Sequence, residues 1–211
     1  MLPILYTVFG LIVLLIIVAI VWRLASDRAS LPCPAWLSWL VKLNNPLFRN
    51  DSARSIIQHL DLQPGMKVLD FGCGPGRLTI PIAQKISPKG QVIAFDIQEK
   101  MLDRNRARAR AANLANVQWV QGGAGEEKLG SNTYDRVLLV TVLGEIPNKD
   151  VAMREIFDAV KRGGVLSVTE VIADPHFQSR TSVFQRAQTV GLIEKNFFGN
   201  SLSFTINFEK P

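Results

Sequence analysis

Residues 68–79 read Val68-Leu69-Asp70-Phe71-Gly72-Cys73-Gly74-Pro75-Gly76-Arg77-Leu78-Thr79. Val68, Leu69 and Phe71 have the character of a short buried strand, and Leu78-Thr79-Ile80 opens an apolar helical pattern. Glycines at alternate positions stand between them. A strand that runs through a glycine turn into a helix is the nucleotide-binding crossover of doubly wound α/β sheets. Glycine lets a ligand approach the backbone, and the N–H groups of a helix start attract a carboxylate or phosphate.

The spacing narrows the choice of ligand. A dinucleotide fingerprint, G-x-G-x-x-G, needs its third glycine at position 77, which is Arg77. The chain instead reads Asp-x-Gly-x-Gly-x-Gly. This resembles motif I of the class I S-adenosylmethionine (SAM) methyltransferases. The resemblance covers roughly residues 47–210 and is nearest to the small ubiquinone/menaquinone- and phospholipid-type methyltransferases. It implies a Rossmann-like α/β fold: a mostly parallel seven-stranded sheet with a C-terminal antiparallel hairpin. It also implies SAM as cofactor. Gly72, Cys73, Gly74 and Gly76 would wrap its methionine part, with Asp70 on its ammonium group.

Working outward, Gln91-Val92-Ile93-Ala94-Phe95-Asp96 reads as the second strand and ends in an acid. An acid at that place accepts hydrogen bonds from ribose hydroxyls. Ile97 follows, where it can cover one face of the adenine. The helix after it carries Arg104, Arg106, Arg108 and Arg110, which read as solvated stripes. Val117–Val120 is the third strand, followed by Gln121-Gly122-Gly123-Ala124. The resemblance implies an acid where Gly123 stands, to hold the adenine amino group. This chain has none there, which leaves the backbone of Ala124 to read the adenine edge. Tyr134–Val140 is a long apolar run, as a central parallel strand should be. Val142, Leu143 and Glu145 follow its end and are expected to line the methyl-transfer site. Related enzymes often carry a histidine where Gly144 stands. A helix over residues 150–160 is expected to end in the turn Lys161-Arg162-Gly163-Gly164, before a fifth strand from Val165 to Glu170. Asp174 and His176 lie beyond that strand's end. His176 and Glu145 are the first candidates for a base, with Glu170 and Asp174 behind them. A hairpin around Gly199-Asn200 closes the chain.

The start differs in kind. Residues 1–22 contain no charged side chain and are almost wholly apolar. About 20 such residues span a bilayer core. No basic residue precedes the run and no small-x-small site follows it, which favours an uncleaved anchor over a signal peptide. Arg23 and Arg28 follow the run, so the positive-inside rule leaves the rest of the chain in the cytoplasm. Residues 23–46 then form a linker. Trp36, Leu37, Trp39, Leu40 and Leu43 suit either an interfacial helix or ordinary core packing. Residues 47–211 form the methyltransferase domain.

The net charge of +6 suits an anionic bilayer surface as partner. Nucleic acid is disfavoured, because no basic-aromatic patch accompanies the charge. Cys33 and Cys73 make neither a disulfide framework nor a metal site. The expected function is methyl transfer from SAM to a lipophilic acceptor, a lipid headgroup or a quinone-like molecule. Small thiols or amines form the alternative acceptor class, and a non-catalytic module that kept the fold is the alternative from outside enzymology. The oligomeric state is open.

Overall fold

A computed structural model describes residues 52–211 continuously, and before them residues 6, 7, 9, 10, 13, 14 and 17. Those early residues are helical and exposed. The expected anchor over residues 1–22 and linker over residues 23–46 lie largely outside the described residues. Among the described residues no helix is long and apolar enough to cross a membrane.

The continuous part alternates strands and helices. Helix α1 (Ala53–His59) leads into β1 (Lys67–Phe71), α2 (Thr79–Ile86), β2 (Gln91–Asp96), α3 (Glu99–Ala111) and β3 (Val117–Gln121). Then come β4 (Tyr134–Val140), a 3-10 turn (Leu143–Glu145), α4 (Lys149–Ala159) and β5 (Val160–Val171). Helix α5 (Arg180–Thr189) and the strands β6 (Ile193–Gly199) and β7 (Ser203–Glu209) complete it. The sheet order is β3-β2-β1-β4-β5-β7-β6. The first five strands pair in parallel, and β7 joins antiparallel to β5 and β6. This is the expected fold. The order reverses between β1 and β4, and ligands of such sheets bind beyond the strand ends at that reversal.

Alternation along the strands divides the core in two. Leu69, Ile93, Phe95, Val137 and Leu139 face one side, packed with Ile156 of α4 and Val183 of α5. Val68, Val92, Ala94 and Leu138 face the other, with Ile80 of α2 and Leu102 of α3. Successive strand residues point to opposite faces, so Asp70 shares the side of Val68 and meets α2 and α3.

Two boundaries differ from the sequence reading. The sequence lets the first crossover helix run from Arg77 to Ile86, whereas helix α2 starts at Thr79, because the glycine turn continues to Leu78. The Lys161–Gly164 turn is a bulge inside β5 and not a turn before it. Tyr134 pairs with Val160 and Arg136 with Val165, so four residues of β5 stand opposite the single Asp135. Gly163 takes φ +72° there, and its N–H donates to the Lys210 carbonyl at 2.7 Å.

Lys210 fastens the same end of the sheet. Its Nζ donates to Asn132 Oδ1 at 3.2 Å, Phe157 O at 2.8 Å and Val160 O at 2.9 Å, and the residue is 8% exposed. This end lies opposite the reversal point. Lys210→Met should therefore orphan buried acceptors and lower stability by about 1–3 kcal/mol in urea melts. Nucleoside affinity of the folded protein should stay at the wild-type value. A fall in affinity without a fall in stability would contradict that division of labour.

Candidate active site

The glycine loop between β1 and α2 is tied to the end of β2. The N–H groups of Gly72 and Cys73 donate to Phe95 O at 2.8 and 3.0 Å. Gly74 N donates to Asp96 Oδ2 at 2.9 Å, and Gln98 N donates to Asp96 Oδ1 at 2.8 Å. Burial raises Asp96 above the ordinary carboxylate range, and the two N–H donors oppose the rise. Gly72 is required sterically: a Cβ there would meet Val142 Cγ2 at 2.4 Å and carry φ +74°.

A cavity of about 230 Å³ opens over this loop. Its wall includes Gly72, Gly74, Asp96, Ile97, Ala124 and Val142 from the sequence-predicted cofactor set, and Glu145 from the base candidates. Asp174 also lines it. Asp70, Cys73, Gly76 and His176 do not. Cys73 is buried in the α2/α3-side core, and Gly76 backs onto Asn105, whose side chain a Cβ would approach to 3.0 Å. A wider groove of about 550 Å³ runs between α4 and the β3–β4 loop, past Glu127, Asp150 and Asp158. It lies away from the glycine loop and carries no converging set of loop and strand-end groups.

Asp70 sits behind the loop, 4% exposed. Thr79 Oγ1 donates to its Oδ2 at 2.5 Å. Burial pushes Asp70 up to about 6, with the Asp96 charge adding, while the Thr79 hydrogen bonds and Arg77 pull the other way.

A carboxylate that sequence reasoning did not single out lies beside Gly123, outside the cavity wall. The Glu126 carboxylate folds back over Gly123, and its Oε1 would lie 3.0 Å from a Cβ built there. Gly123 N–H and Lys128 both bind that carboxylate and hold it below the ordinary glutamate value. Its only sequence signal was the acid three residues on.

The strand-end geometry explains Gly144 as well. A Cβ at Gly144 would lie 1.8 Å from His176 O. The segment after β5 thus fills the space that a side chain at 144 would take. His176 is 5% exposed; its N–H donates to Asp174 Oδ1 at 2.7 Å, and its Nδ1 has no partner. Outside the cavity wall, it is a less direct base than Glu145 or Asp174. Thr141, at the end of β4, takes φ +54°, an uncommon conformation for a branched residue, and it too lines the cavity. Glu170 is 1% exposed; Oε2 accepts from Gln178 N at 3.1 Å and Oε1 has no partner. Burial pushes it up to about 8, Asp174 and Glu145 add to the rise, and the Gln178 N–H and Lys149 oppose it. It is a neutral acid at pH 7. Among the described residues no group of three His, Cys, Asp or Glu could hold a metal ion.

Comparison with known proteins now bears on this geometry. Residues 62–200 match the model of a family described as a methyltransferase domain. The chain belongs to that family. The domain is a SAM-dependent methyltransferase domain, and the residues fit the cofactor it implies. A glycine cradle that Cβ atoms would fill, an acid at the end of β2 and an open cavity between them suit an amino-acid-bearing nucleoside. The chain is 32% identical over 123 residues to a demethylmenaquinone methyltransferase of Listeria monocytogenes, covering 58% of this chain and 52% of that one. It is 34% identical over 123 residues to the ubiquinone/menaquinone biosynthesis C-methyltransferase UbiE of Vibrio vulnificus, covering 58% and 47%. The chain thus spans about half the length of the curated relatives it matches. Among solved structures, a SAM-dependent methyltransferase from Aquifex aeolicus superposes with a TM-score of 0.74 at 18% identity, covering 84% of this chain and 98% of that one. The [4+2]-cyclase SpnF superposes at 0.67 with 16% identity, over 75% and 80%. At such identities the likeness concerns the fold alone, and one fold hosts many chemistries.

Glu170 gives a stability prediction. Its folded value lies above the ordinary 4.5, so the folded protein holds a proton that the unfolded chain releases. That contribution is full below about pH 4.5 and is lost as the pH rises through about 8. Glu170→Gln keeps a neutral group of the same shape. Relative to it, wild type should lose a few kcal/mol of unfolding free energy across that window. Parallel pH–stability curves for the two proteins would contradict the assignment.

Proposed function

We propose that the protein transfers a methyl group from SAM to a lipophilic, quinone-like acceptor at a membrane surface. The observation that carries the reaction type is the cavity built jointly by the glycine loop, Asp96 and Ile97 on one side and Thr141, Val142 and Glu145 on the other. The acceptor class is supported by the two curated relatives, a demethylmenaquinone methyltransferase and a ubiquinone/menaquinone biosynthesis methyltransferase. The anchor is supported by the uncharged first 22 residues and by the exposed helical Tyr6, Phe9, Leu14 and Ile17. Arg23 and Arg28 would leave the catalytic domain cytoplasmic.

SAM supplies a methyl group already activated on a sulfonium. The protein's part is therefore mainly placement and exclusion of water. Asp96 would accept from the ribose hydroxyls, Ile97 would cover the adenine, and Glu126 with the Ala124 backbone would read its edge. On the acceptor side Val142, Ile146 and Pro147 form an apolar wall suited to a ring or isoprenoid stem. Glu145 and Asp174 would take the proton that a ring hydroxyl releases when oxygen attacks, or the one the methylated ring carbon loses as the ring becomes aromatic again when carbon attacks. Glu170, neutral behind them, limits the negative charge collected at that end.

The test uses the full-length protein in vesicles with methyl-labelled SAM and either demethylated quinols or small thiols and amines. Label should enter the quinol, and Glu145→Gln should lower kcat by roughly 10²-fold or more while moving KM for SAM little. Label entering only the thiols or amines would defeat the lipophilic acceptor. No turnover with intact cofactor binding would favour the non-catalytic module. For the adenine reading, Glu126→Gln should weaken S-adenosylhomocysteine binding by about 3- to 10-fold, the worth of one hydrogen bond to a charged group reduced by exposure. An unchanged affinity would remove Glu126 from the site.

A further inference from the structure

A run of polar side chains, half-buried at Trp119 and buried beyond it, leads from β3 to the underside of the glycine loop. Trp119 on β3 donates its indole Nε1–H to Asn105 Oδ1 at 3.2 Å. Asn105 on α3 is fully buried. Its Nδ2 donates to Thr79 Oγ1 at 2.9 Å and reaches Gly74 O at 3.5 Å. Thr79, also fully buried, donates its hydroxyl to Asp70 Oδ2. Four elements, β3, α3, α2 and β1, meet in this one line.

The direction of the line is fixed chemically. An indole N–H only donates, so it turns the Asn105 amide with oxygen toward Trp119 and NH₂ toward Thr79. The amide N–H then occupies a lone pair of Thr79 Oγ1, which leaves the hydroxyl hydrogen for Asp70. Reversing any member would set donor against donor or acceptor against acceptor. Arg106 lies over the Trp119 ring at 5.9 Å and is itself held by Glu99 and Asp103, so the outer end is braced. The close approach of Asn105 also accounts for Gly76, where a Cβ would crowd its amide. Polar atoms this deeply buried are costly unless satisfied, and this set satisfies itself.

We propose that Trp119, Asn105 and Thr79 form a positioning relay that holds the glycine loop from behind, through Asp70 and the Gly74 carbonyl, for the amino-acid end of the cofactor. This rests on the SAM reading of the site. The relay touches neither ribose nor adenine, whose proposed partners are Asp96, Ile97 and Glu126. Its influence should therefore depend on whether the ligand carries the amino-acid group.

That dependence separates a positioning role from a structural one. The full-length protein is titrated calorimetrically with S-adenosylhomocysteine and with 5′-methylthioadenosine, which keeps the nucleoside and lacks the amino acid. Thr79→Val and Trp119→Phe should weaken S-adenosylhomocysteine by about tenfold, the scale of a hydrogen bond to a charged group, and leave methylthioadenosine within about twofold. Thr79→Ser, which keeps the hydroxyl, should restore wild-type affinity. Equal losses for both ligands, or no loss for either, would overturn the relay. Wild-type protein that binds neither ligand would instead overturn the cofactor reading beneath it. Trp119→Phe leaves the smaller buried perturbation, so it reports even if Thr79→Val folds poorly.

Discussion

One carbonyl and one carboxylate at the end of β2 hold the glycine loop in place. Phe95 O takes the N–H groups of Gly72 and Cys73, and Asp96 Oδ2 takes that of Gly74. The loop is thereby fastened to the neighbouring strand β2 rather than only along its own chain. Everything else in the site inherits its position from that fastening. Val142 reaches the loop because position 72 has no side chain, and α2 begins where the loop permits. Asp96 has two tasks in this arrangement: it shapes the loop and, in the proposed complex, accepts from the ribose. The same carboxylate can do both because each oxygen has a second lone pair.

The opposite side of the cavity is built on a different principle. There the strand ends of β4 and β5 bring Glu145, Asp174 and Glu170 close enough to repel one another. Burial and that repulsion leave Glu170 protonated, so the region carries less charge than its composition indicates. Strain at Thr141 lies at the same rim. A fastened cofactor side facing an electrostatically loaded acceptor side is a reasonable division for a transfer reaction. In the proposed reaction one side binds in a fixed pose and the other takes up a proton.

Much of the fold was legible because its signals are local. The apolar runs of β1, β2 and β4 and the strand–glycine–helix junction each fix an element without help from distant residues. The spacing from Gly76 to Asp96 likewise placed an acid at the cavity. What escaped depends on tertiary contact. Glu126 reaches Gly123 only through a turn in which Gly125 and Glu127 adopt positive φ. Gly144 looked like a missing histidine; its cause is a backbone thirty residues away. Asn105 was hidden among Arg104, Arg106 and Arg108, a stretch that reads as solvated, although its position on α3 faces the core. The alternation of side chains along β1 turns Asp70 toward α2 and away from the cavity wall.

In the proposed complex the fastened loop and Asp96 receive an amino-acid-bearing nucleoside. A crystal structure of the protein with S-adenosylhomocysteine addresses it most directly. The account predicts ribose hydroxyls on Asp96, adenine between Ile97 and the Gly123–Ala124 backbone, and the sulfur facing Val142 and Glu145. Ligand bound elsewhere, or a ribose with no contact to Asp96, would contradict it.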